Sequence, residues 1–151
     1  MAGKFYDQLE AGQVFEHEIR RTLVEAENIW FCGATYNPAQ IHIDAEYCKQ
    51  TEFGRPLFNS IFTLGLVIGL TVQDTTLGTT VANLGMSEVL FPKPVFAGDT
   101  IRSVTTVVDK RDSRSRPEQG IVTFRHQGLN QHNEVVCICV RQALMLRKPL
   151  A

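Results

Sequence analysis

The chain has 151 residues, of which 15 are lysine or arginine and 16 are aspartate or glutamate, so its formal net charge is −1. This length fits one domain, and we predict a single domain over residues 1–151. A charge so close to zero removes the electrostatic case for nucleic acid or an anionic membrane as a partner. Apolar residues make up 44% of the chain and charged residues 21%, which is typical of a folded globular protein and excludes intrinsic disorder.

The sequence carries no targeting or membrane signal that we can identify. Its most apolar window, residues 61–72, is too short to span a bilayer, and its first residues form neither a secretory nor an Arg-rich transit pattern. We therefore expect an intracellular protein, with the cytoplasm favoured and the mitochondrion and peroxisome left open. No metal site is expected, because the cysteines lack zinc-ligand spacing. The four are expected to be reduced and mostly buried: Cys32, Cys48, Cys137 and Cys139.

The first third of the chain is predicted to contain one strand and two short helices. The predicted ranges are residues 14–23 for an edge strand, 25–33 for a helix and 45–49 for a shorter helix. Thr22 is the predicted cap of the first helix, because Glu25 follows it at capping-box spacing. Asp44 is the predicted cap of the second. Between them, Pro38 excludes a regular helix over residues 34–43.

Residues 59–72 predict one long helix that is apolar on nearly every side. A helix with that pattern is buried rather than amphipathic. Gly65 and Gly69 lie four residues apart and would give this helix a flat stripe. We expect a sheet or another backbone to pack closely against that stripe, since glycines inside a helix otherwise weaken it.

The remainder of the chain is predicted to be a sheet. The four predicted strands cover residues 81–91, 99–109, 121–129 and 134–146, and the last two are joined by a hairpin-like connection at 130–133. Residues 110–119 predict a polar, basic loop. One buried helix beside long antiparallel strands predicts an α+β fold in which the sheet wraps around the helix.

A cluster of polar residues between positions 37 and 60 is the best candidate for chemistry. Its members are Asn37, Gln40, His42, Asp44, Arg55, Asn59 and Ser60. Asn37 and His42 lie in an irregular segment, where catalytic side chains are often held. Ser60 opens the predicted buried helix, whose first N–H groups lack intrahelical partners and can stabilise an oxyanion such as a thioester enolate. From spacing alone, an ordinary loop histidine and a simple helix cap remain the alternative interpretation.

The segment TYNPAQIHIDAEYCKQTEFGRPLFNS, residues 35–60, resembles the signature of the MaoC-like, (R)-specific enoyl-CoA hydratase family. The stretch FPKPVFAGDT, residues 91–100, is similar to a second motif of that family. The resemblance implies a hotdog fold, in which a sheet wraps around one long helix. It also implies a hydratase or dehydratase acting on an acyl-CoA thioester. No cofactor is implied, since coenzyme A is part of the substrate, and sites between subunits imply a homodimer or larger homo-oligomer.

The catalytic residues of that family carry over unevenly onto this sequence. The family histidine falls on His42, and the oxyanion-hole glycine falls on Ser60, whose backbone N–H does not depend on the side chain. The catalytic aspartate falls on Asn37, whereas a gapped alignment puts Thr35 there. An amide can orient water but cannot accept its proton. We therefore expect His42 to act alone, so that hydration rises through a single ionisation as pH increases.

The variant motif resembles a subgroup linked with mesaconyl-CoA and related branched, carboxylated acyl-CoA thioesters. The candidates for holding the second carboxylate of such a substrate are Gln40, Arg55, Asn59 and Thr63. The candidates for the phosphates of CoA lie in or beside the basic loop and are Lys110, Arg111, Arg114 and Arg116. An ordinary solvated loop is an equally good interpretation of that charge run.

Two other functions stay open at this point: a hotdog acyl-CoA thioesterase and a non-catalytic hotdog that binds acyl thioesters. A thioesterase is expected to place a carboxylate on the buried helix, whereas the first acid after Asn59 is Asp74, at the far end. The non-catalytic alternative is favoured by Asn37. The remaining histidines are expected to be structural or exposed: His17, His126 and His132.

Overall fold

The computed structural model describes residues 3–149 and contains one antiparallel five-stranded sheet. The strands are β1 (Val14–Thr22), β2 (Thr80–Leu90), β3 (Thr100–Asp112), β4 (Gln119–Leu129) and β5 (Val135–Leu146). Their order across the sheet is β1-β3-β4-β5-β2, which makes β1 an edge strand as predicted. All the predicted strands are confirmed. The predicted basic loop is shorter than expected, because β3 and β4 extend into it and leave only residues 113–118 outside the ladder.

Helical segments connect the strands and cover one face of the sheet. They are a 3-10 turn (Tyr6–Gln8), α1 (Glu25–Ala34), α2 (Gln40–Ile43), α3 (Ala45–Cys48), α4 (Ser60–Gly69) and α5 (Val72–Thr75). Asp44 caps α3 as predicted, since its carboxylate accepts the Tyr47 N–H at 2.9 Å. The segment around Pro38 is irregular up to Ala39, after which α2 forms a single turn. Across residues 3–149, every helix falls short of the length and apolar character that crossing a membrane requires.

The cap predicted for α1 is wrong. Val24 is the residue that precedes the helix, and its N–H donates to the Glu27 carboxylate at 3.1 Å. Thr22 instead belongs to β1, where its hydroxyl lies 2.8 Å from the hydroxyl of Thr100 on β3. The cross-strand pair keeps Thr22 in the ladder, and this tertiary contact outweighs the local capping preference.

The core of the fold lies between α4 and the sheet. The Ser103 hydroxyl on β3 donates to the Val67 carbonyl at 2.8 Å. On β4, Gly128 lies directly under Val67, and a Cβ added at Gly128 would clash with the Val67 side chain. Apolar side chains from Leu64 and Leu70 complete the contact. All four cysteines are buried free thiols, which agrees with the prediction.

Within residues 3–149, no part of the chain packs closely against the glycines of α4, where a sheet or another backbone was predicted. Gly65 and Gly69 are exposed, and a Cβ built on either would meet nothing within 4 Å. Ile61, one turn earlier on the same face, is 56% exposed. The glycine that permits close approach is on the sheet, at Gly128, and the helix presents Val67 to it.

The helix predicted over residues 59–72 ends early, at Gly69, and a separate helix, α5, begins at Val72. At the break, the Thr71 hydroxyl donates to the Ile68 carbonyl at 2.7 Å, a local bond of the kind that competes with a continuous helix. α5 contacts the sheet at β1. There the Asp74 carboxylate lies 2.7 Å from Nδ1 of His17 on β1.

A row of hydrogen bonds between polar side chains crosses the sheet from β5 to β1. The Arg141 Nε–H donates to His126 Nε2 at 2.9 Å, which leaves the proton of neutral His126 on Nδ1, 2.8 Å from the Thr105 hydroxyl. That hydroxyl has its own proton to donate, and His17 Nε2 lies 2.9 Å away to accept it. His17 Nδ1–H then donates to Asp74. With His17 neutral, the bonds all run in one direction.

Burial keeps His126 uncharged. Its side chain is 0% exposed, and desolvation, with the positive charge of Arg141 adding to it, lowers the pKa of His126 from 6.5 to about 3. Burial also lowers the pKa of the Arg141 guanidinium, which is 5% exposed. The histidines outside the candidate cluster are thus structural, at His17 and His126, or exposed, at His132 in the β4–β5 turn, as expected.

Candidate active site

His42 lies on α2, and its imidazole is held by the backbone just before α4. Its Nδ1 is 2.8 Å from the Leu57 carbonyl oxygen. A carbonyl oxygen only accepts, so Nδ1 carries the proton and the neutral ring keeps its lone pair on Nε2. The Leu57 backbone is fixed in turn, because its N–H donates to the Ile41 carbonyl at 2.9 Å. A half-buried imidazole with a free Nε2 can accept a proton from water.

Asn28 on α1 is a site residue that the sequence reasoning missed. Its Nδ2 donates to the His42 carbonyl at 2.9 Å and to the Leu57 carbonyl at 3.1 Å, and its Oδ1 accepts the Asn59 N–H at 2.8 Å. The signal in the sequence is the spacing: Asn28 lies four residues before Cys32, which places both on the same face of α1. The structure shows that these two are the buried residues of the helix. A polar side chain on the buried face of a helix has to find partners, since unpaired buried polar groups are costly.

The N-terminus of α4 is capped in a way that leaves its first N–H free. The Asn59 side-chain oxygen accepts the Ile61 N–H at 2.9 Å. The Ser60 N–H has no hydrogen-bond partner within the described range, residues 3–149. The aligned peptide dipoles of the helix add partial positive charge at this position. This N–H is therefore suited to an oxygen that gains negative charge during a reaction.

Asn37 lies in the loop between α1 and α2 and is half-buried. Its backbone N–H donates to the Cys32 carbonyl at 2.9 Å, and its side-chain oxygen accepts the Ala39 N–H at 3.0 Å. This is an Asx turn, in which the side chain replaces a backbone group. The oxygen that we expected to hold water thus also shapes the loop, although it keeps a second lone pair.

The predicted substrate-binding residues lie at different depths. Gln40 is exposed on α2. Arg55 lies before α4, with its guanidinium carbon 4.0 Å from the centroid of the Phe96 ring. Asn59 and Thr63 are buried, and the Thr63 hydroxyl donates to the Asn59 carbonyl at 3.3 Å. Of these four, Arg55 is the charged group that faces an open space.

That space is a crevice of about 170 Å³ beside the His42 segment. Its lining residues are Glu25, Asn28, Arg55, Pro56, Phe58 and Ala97. Arg55 and Asn28, whose amide donates to the His42 carbonyl, therefore line the same crevice. Among residues 3–149, no group of three or more His, Cys, Asp or Glu side chains is arranged to hold a metal ion.

The basic loop is separated from this site within one chain. Arg111 lies near the end of β3, and Arg114 and Arg116 lie in the loop that follows. Phe58, next to Leu57, belongs instead to the same buried apolar cluster as Ile101 at the start of β3. A strand of this length spans roughly 40 Å. The structure thus places the predicted phosphate-binding arginines and His42 at opposite ends of the sheet.

Comparison with known proteins agrees with the resemblance in the sequence. The family model described as "MaoC like domain" matches residues 7–128. The mesaconyl-CoA hydratase of Cereibacter sphaeroides is 32% identical over 152 residues, which cover 99% of this chain and 43% of that protein. The chain therefore spans less than half the length of this curated relative.

Solved structures confirm the hotdog architecture. The MaoC-like dehydratase from Rhodospirillum rubrum superposes with a TM-score of 0.86 at 29% identity, covering 98% of this chain and 100% of that one. A Mycobacterium tuberculosis protein described as having a double hotdog fold gives a TM-score of 0.87 at 24% identity, covering 97% of this chain and 45% of the other. Because the family model matches most of this chain, residues 7–128, the chain belongs to the MaoC-like domain family.

Proposed function

We propose that the chain catalyses the reversible hydration of an enoyl thioester of coenzyme A. The observation that carries the proposal is the hydrogen bond from His42 Nδ1 to the Leu57 carbonyl, which leaves Nε2 free as a base. The same backbone segment leads into α4, where the Ser60 N–H is available to an oxyanion. A base and an oxyanion donor held by one segment are the two groups that this reaction needs.

In the hydration direction, His42 Nε2 takes a proton from water as the water oxygen bonds to the β-carbon of the enoyl group. The electron pair of the carbon–carbon double bond moves toward the thioester oxygen, and the Ser60 N–H stabilises the resulting enolate. The protonated imidazole then delivers its proton to the α-carbon, which gives the 3-hydroxyacyl thioester. Dehydration follows the same steps in reverse. Asn37 contributes by orienting the water, since its amide cannot accept a proton.

We propose a branched, dicarboxylic acyl group as the preferred substrate. The relative from Cereibacter sphaeroides is named a mesaconyl-CoA hydratase, and mesaconyl-CoA carries a second carboxylate. Arg55 is the candidate for binding this carboxylate, because the residue lines the crevice and its guanidinium stacks on the Phe96 ring, which limits its motion. A guanidinium binds a carboxylate with two parallel hydrogen bonds when it is oriented in this way.

We further propose that two copies associate through β2. This strand is the second edge of the sheet, and it exposes apolar side chains that are 41–49% accessible: Val81, Leu84, Met86 and Leu90. An unpaired, apolar edge strand is usually covered by another chain or element. When two β2 strands pair antiparallel, the strands of the second copy run in the opposite direction to those of the first. The basic loop of the second copy would then lie at the same end as His42.

The test is an assay of the purified protein against crotonyl-CoA and mesaconyl-CoA, following the loss of enoyl absorbance. We expect hydration of mesaconyl-CoA, and we expect His42→Ala to lower kcat by roughly 10²–10⁴-fold, the contribution typical of general acid–base catalysis. Full activity in His42→Ala would contradict the assignment. Sedimentation at micromolar concentration tests the association, and a monomer would contradict it.

A non-catalytic acyl-thioester-binding protein is the second candidate, and the observation that favours it is Asn37 in place of a carboxylate. It would be supported if the natural protein is inert on both thioesters while Asn37→Asp gains activity. Release of free coenzyme A thiol without formation of a 3-hydroxyacyl thioester would indicate a thioesterase. Against that reaction, α4 contains no aspartate or glutamate between Ser60 and Gly69.

A further inference from the structure

The Leu57 carbonyl oxygen is shared by two side chains. It accepts the imidazole Nδ1–H of His42 at 2.8 Å and the amide Nδ2–H of Asn28 at 3.1 Å. A carbonyl oxygen has two lone pairs, so these two bonds use its full capacity. The direction in which the carbonyl points, and with it the direction of the imidazole, therefore depends on Asn28.

The rest of the Asn28 amide is engaged in the same region. Its second N–H donates to the His42 carbonyl at 2.9 Å, and its oxygen accepts the N–H of Asn59 at 2.8 Å. Asn59 directly precedes Ser60, whose N–H faces the proposed oxyanion. The side chain is 2% exposed, so water does not compete for these bonds. One amide thus ties the ring of His42, its backbone and the start of α4 together.

We infer that Asn28 is a positioning residue for this site. It acts through Leu57 to hold the His42 proton on Nδ1, and through Asn59 to fix the Ser60 N–H relative to the imidazole. The inference rests on the proposed function, because His42 and Ser60 are the groups that it positions. Asn28 itself need not touch the substrate.

The substitution that separates positioning from packing is Asn28→Asp, which keeps the shape and the oxygen that accepts the Asn59 N–H. It replaces the two donating hydrogens with an oxygen that faces the carbonyls of His42 and Leu57. Those carbonyls then turn away, and His42 loses the acceptor that holds its tautomer. Asn28→Ser is the second variant, because it removes both donated bonds without adding charge.

Asn130 provides the matched control. It is also a buried asparagine, 7% exposed, and its side-chain oxygen accepts the N–H groups of His132 at 2.9 Å and Glu134 at 3.0 Å. It shapes the β4–β5 turn and has no bond to the His42 segment in the described residues. Asn130→Asp therefore makes the same chemical change away from the proposed site, where the donated bond that is lost goes to the Glu134 carboxylate at 2.9 Å.

The experiment measures kcat and KM on mesaconyl-CoA, and the ring ¹⁵N shifts of His42 in labelled protein, for the natural protein and the three variants. We expect both Asn28 variants to fold, to lose roughly 100-fold in kcat with KM changed less than about threefold, and to show a mixture of His42 tautomers. Asn130→Asp should leave the tautomer and kcat unchanged.

Several results would overturn the inference. These are a folded Asn28→Asp with natural kcat and tautomer, an equal loss of kcat in Asn130→Asp, or failure of both Asn28 variants to fold, which would make the residue a folding determinant. If the natural protein hydrates neither thioester, the proposed function fails on its own. The tautomer of His42 would still report whether Asn28 positions the ring.

Discussion

The buried His126 makes a specific prediction about acid stability. In the folded protein the pKa of His126 is lowered from 6.5 to about 3, with desolvation as the main cause. Below pH 6.5 the unfolded chain therefore binds a proton at this position that the native protein does not bind. The free energy of unfolding must then fall as the pH falls, and it continues to fall until the folded protein is protonated near pH 3.

The size of the effect follows from the shift. The difference between 6.5 and about 3, at roughly 1.4 kcal/mol per pKa unit, limits the total loss to about 5 kcal/mol. Between pH 7 and pH 5, where the native imidazole stays neutral, the expected contribution is about 2 kcal/mol. That is a large part of the 5–15 kcal/mol that typically stabilises a domain.

The perturbation that isolates this contribution is His126→Gln. A glutamine can accept the Arg141 Nε–H and donate to Thr105 as the imidazole does, but it does not titrate. Urea unfolding at fixed protein concentration, repeated between pH 7 and pH 5, gives the free energy for each protein. The natural protein should lose about 2 kcal/mol more than the variant over this range.

The control is His132→Gln in the exposed β4–β5 turn, which leaves His126 in place and should therefore retain the loss of about 2 kcal/mol. Parallel pH profiles for the natural protein and His126→Gln would refute the reasoning. They would mean that His126 titrates alike in the folded and unfolded chains, and hence that the buried row of hydrogen bonds is open to water.

Three further predictions concern the site and the core. Asn37→Asp should keep kcat within about tenfold of the natural value, or 1.4 kcal/mol of barrier. In the natural protein, the rate of hydration should rise through one ionisation as the pH increases, and a bell-shaped pH profile would contradict a single titrating group. Arg55→Met should lower kcat/KM for mesaconyl-CoA at least tenfold more than for crotonyl-CoA, since the ion pair with the substrate carboxylate is lost only with the former. Equal losses would argue against a carboxylate site. Gly128→Ala should destabilise the fold by roughly 1–3 kcal/mol, measured by urea unfolding, because its Cβ meets Val67; Val67→Ala in the same chain should recover part of this.

Much of the fold could be predicted because its signals are local. Alternating apolar and polar residues define the strands, and Asp44 caps α3 through a bond to Tyr47, three residues away. The failures involve contacts that are distant in sequence. Thr22 matches a capping motif, yet it pairs with Thr100 on β3. The glycines of α4 are conspicuous, but no local pattern reveals that the sheet supplies the space for close packing at Gly128.

Part of the candidate site could also be predicted from local signals in the sequence. The irregular segment around Pro38 and the helix start at Ser60 pointed to His42, because both features are visible within a short stretch of sequence. Asn28 could not be assigned a role in this way, since its partners lie 14, 29 and 31 residues away. The arginines of the basic loop were grouped with the site by charge alone. Their separation from it depends on the direction of β3, which composition does not encode.

The one-way order of the bonds from Arg141 to Asp74 determines what the buried histidines can do. Protons move along a row of hydrogen bonds only if every group in it can turn from donor into acceptor and back. The guanidinium at one end has no lone pair to offer, so the bonds from Arg141 through neutral His126 to Thr105 cannot be inverted. His17 and His126 sit next to a carboxylate and a hydroxyl, as catalytic groups often do. They nevertheless join β1, β3, β4 and β5 through a row of side-chain hydrogen bonds, which is a structural role.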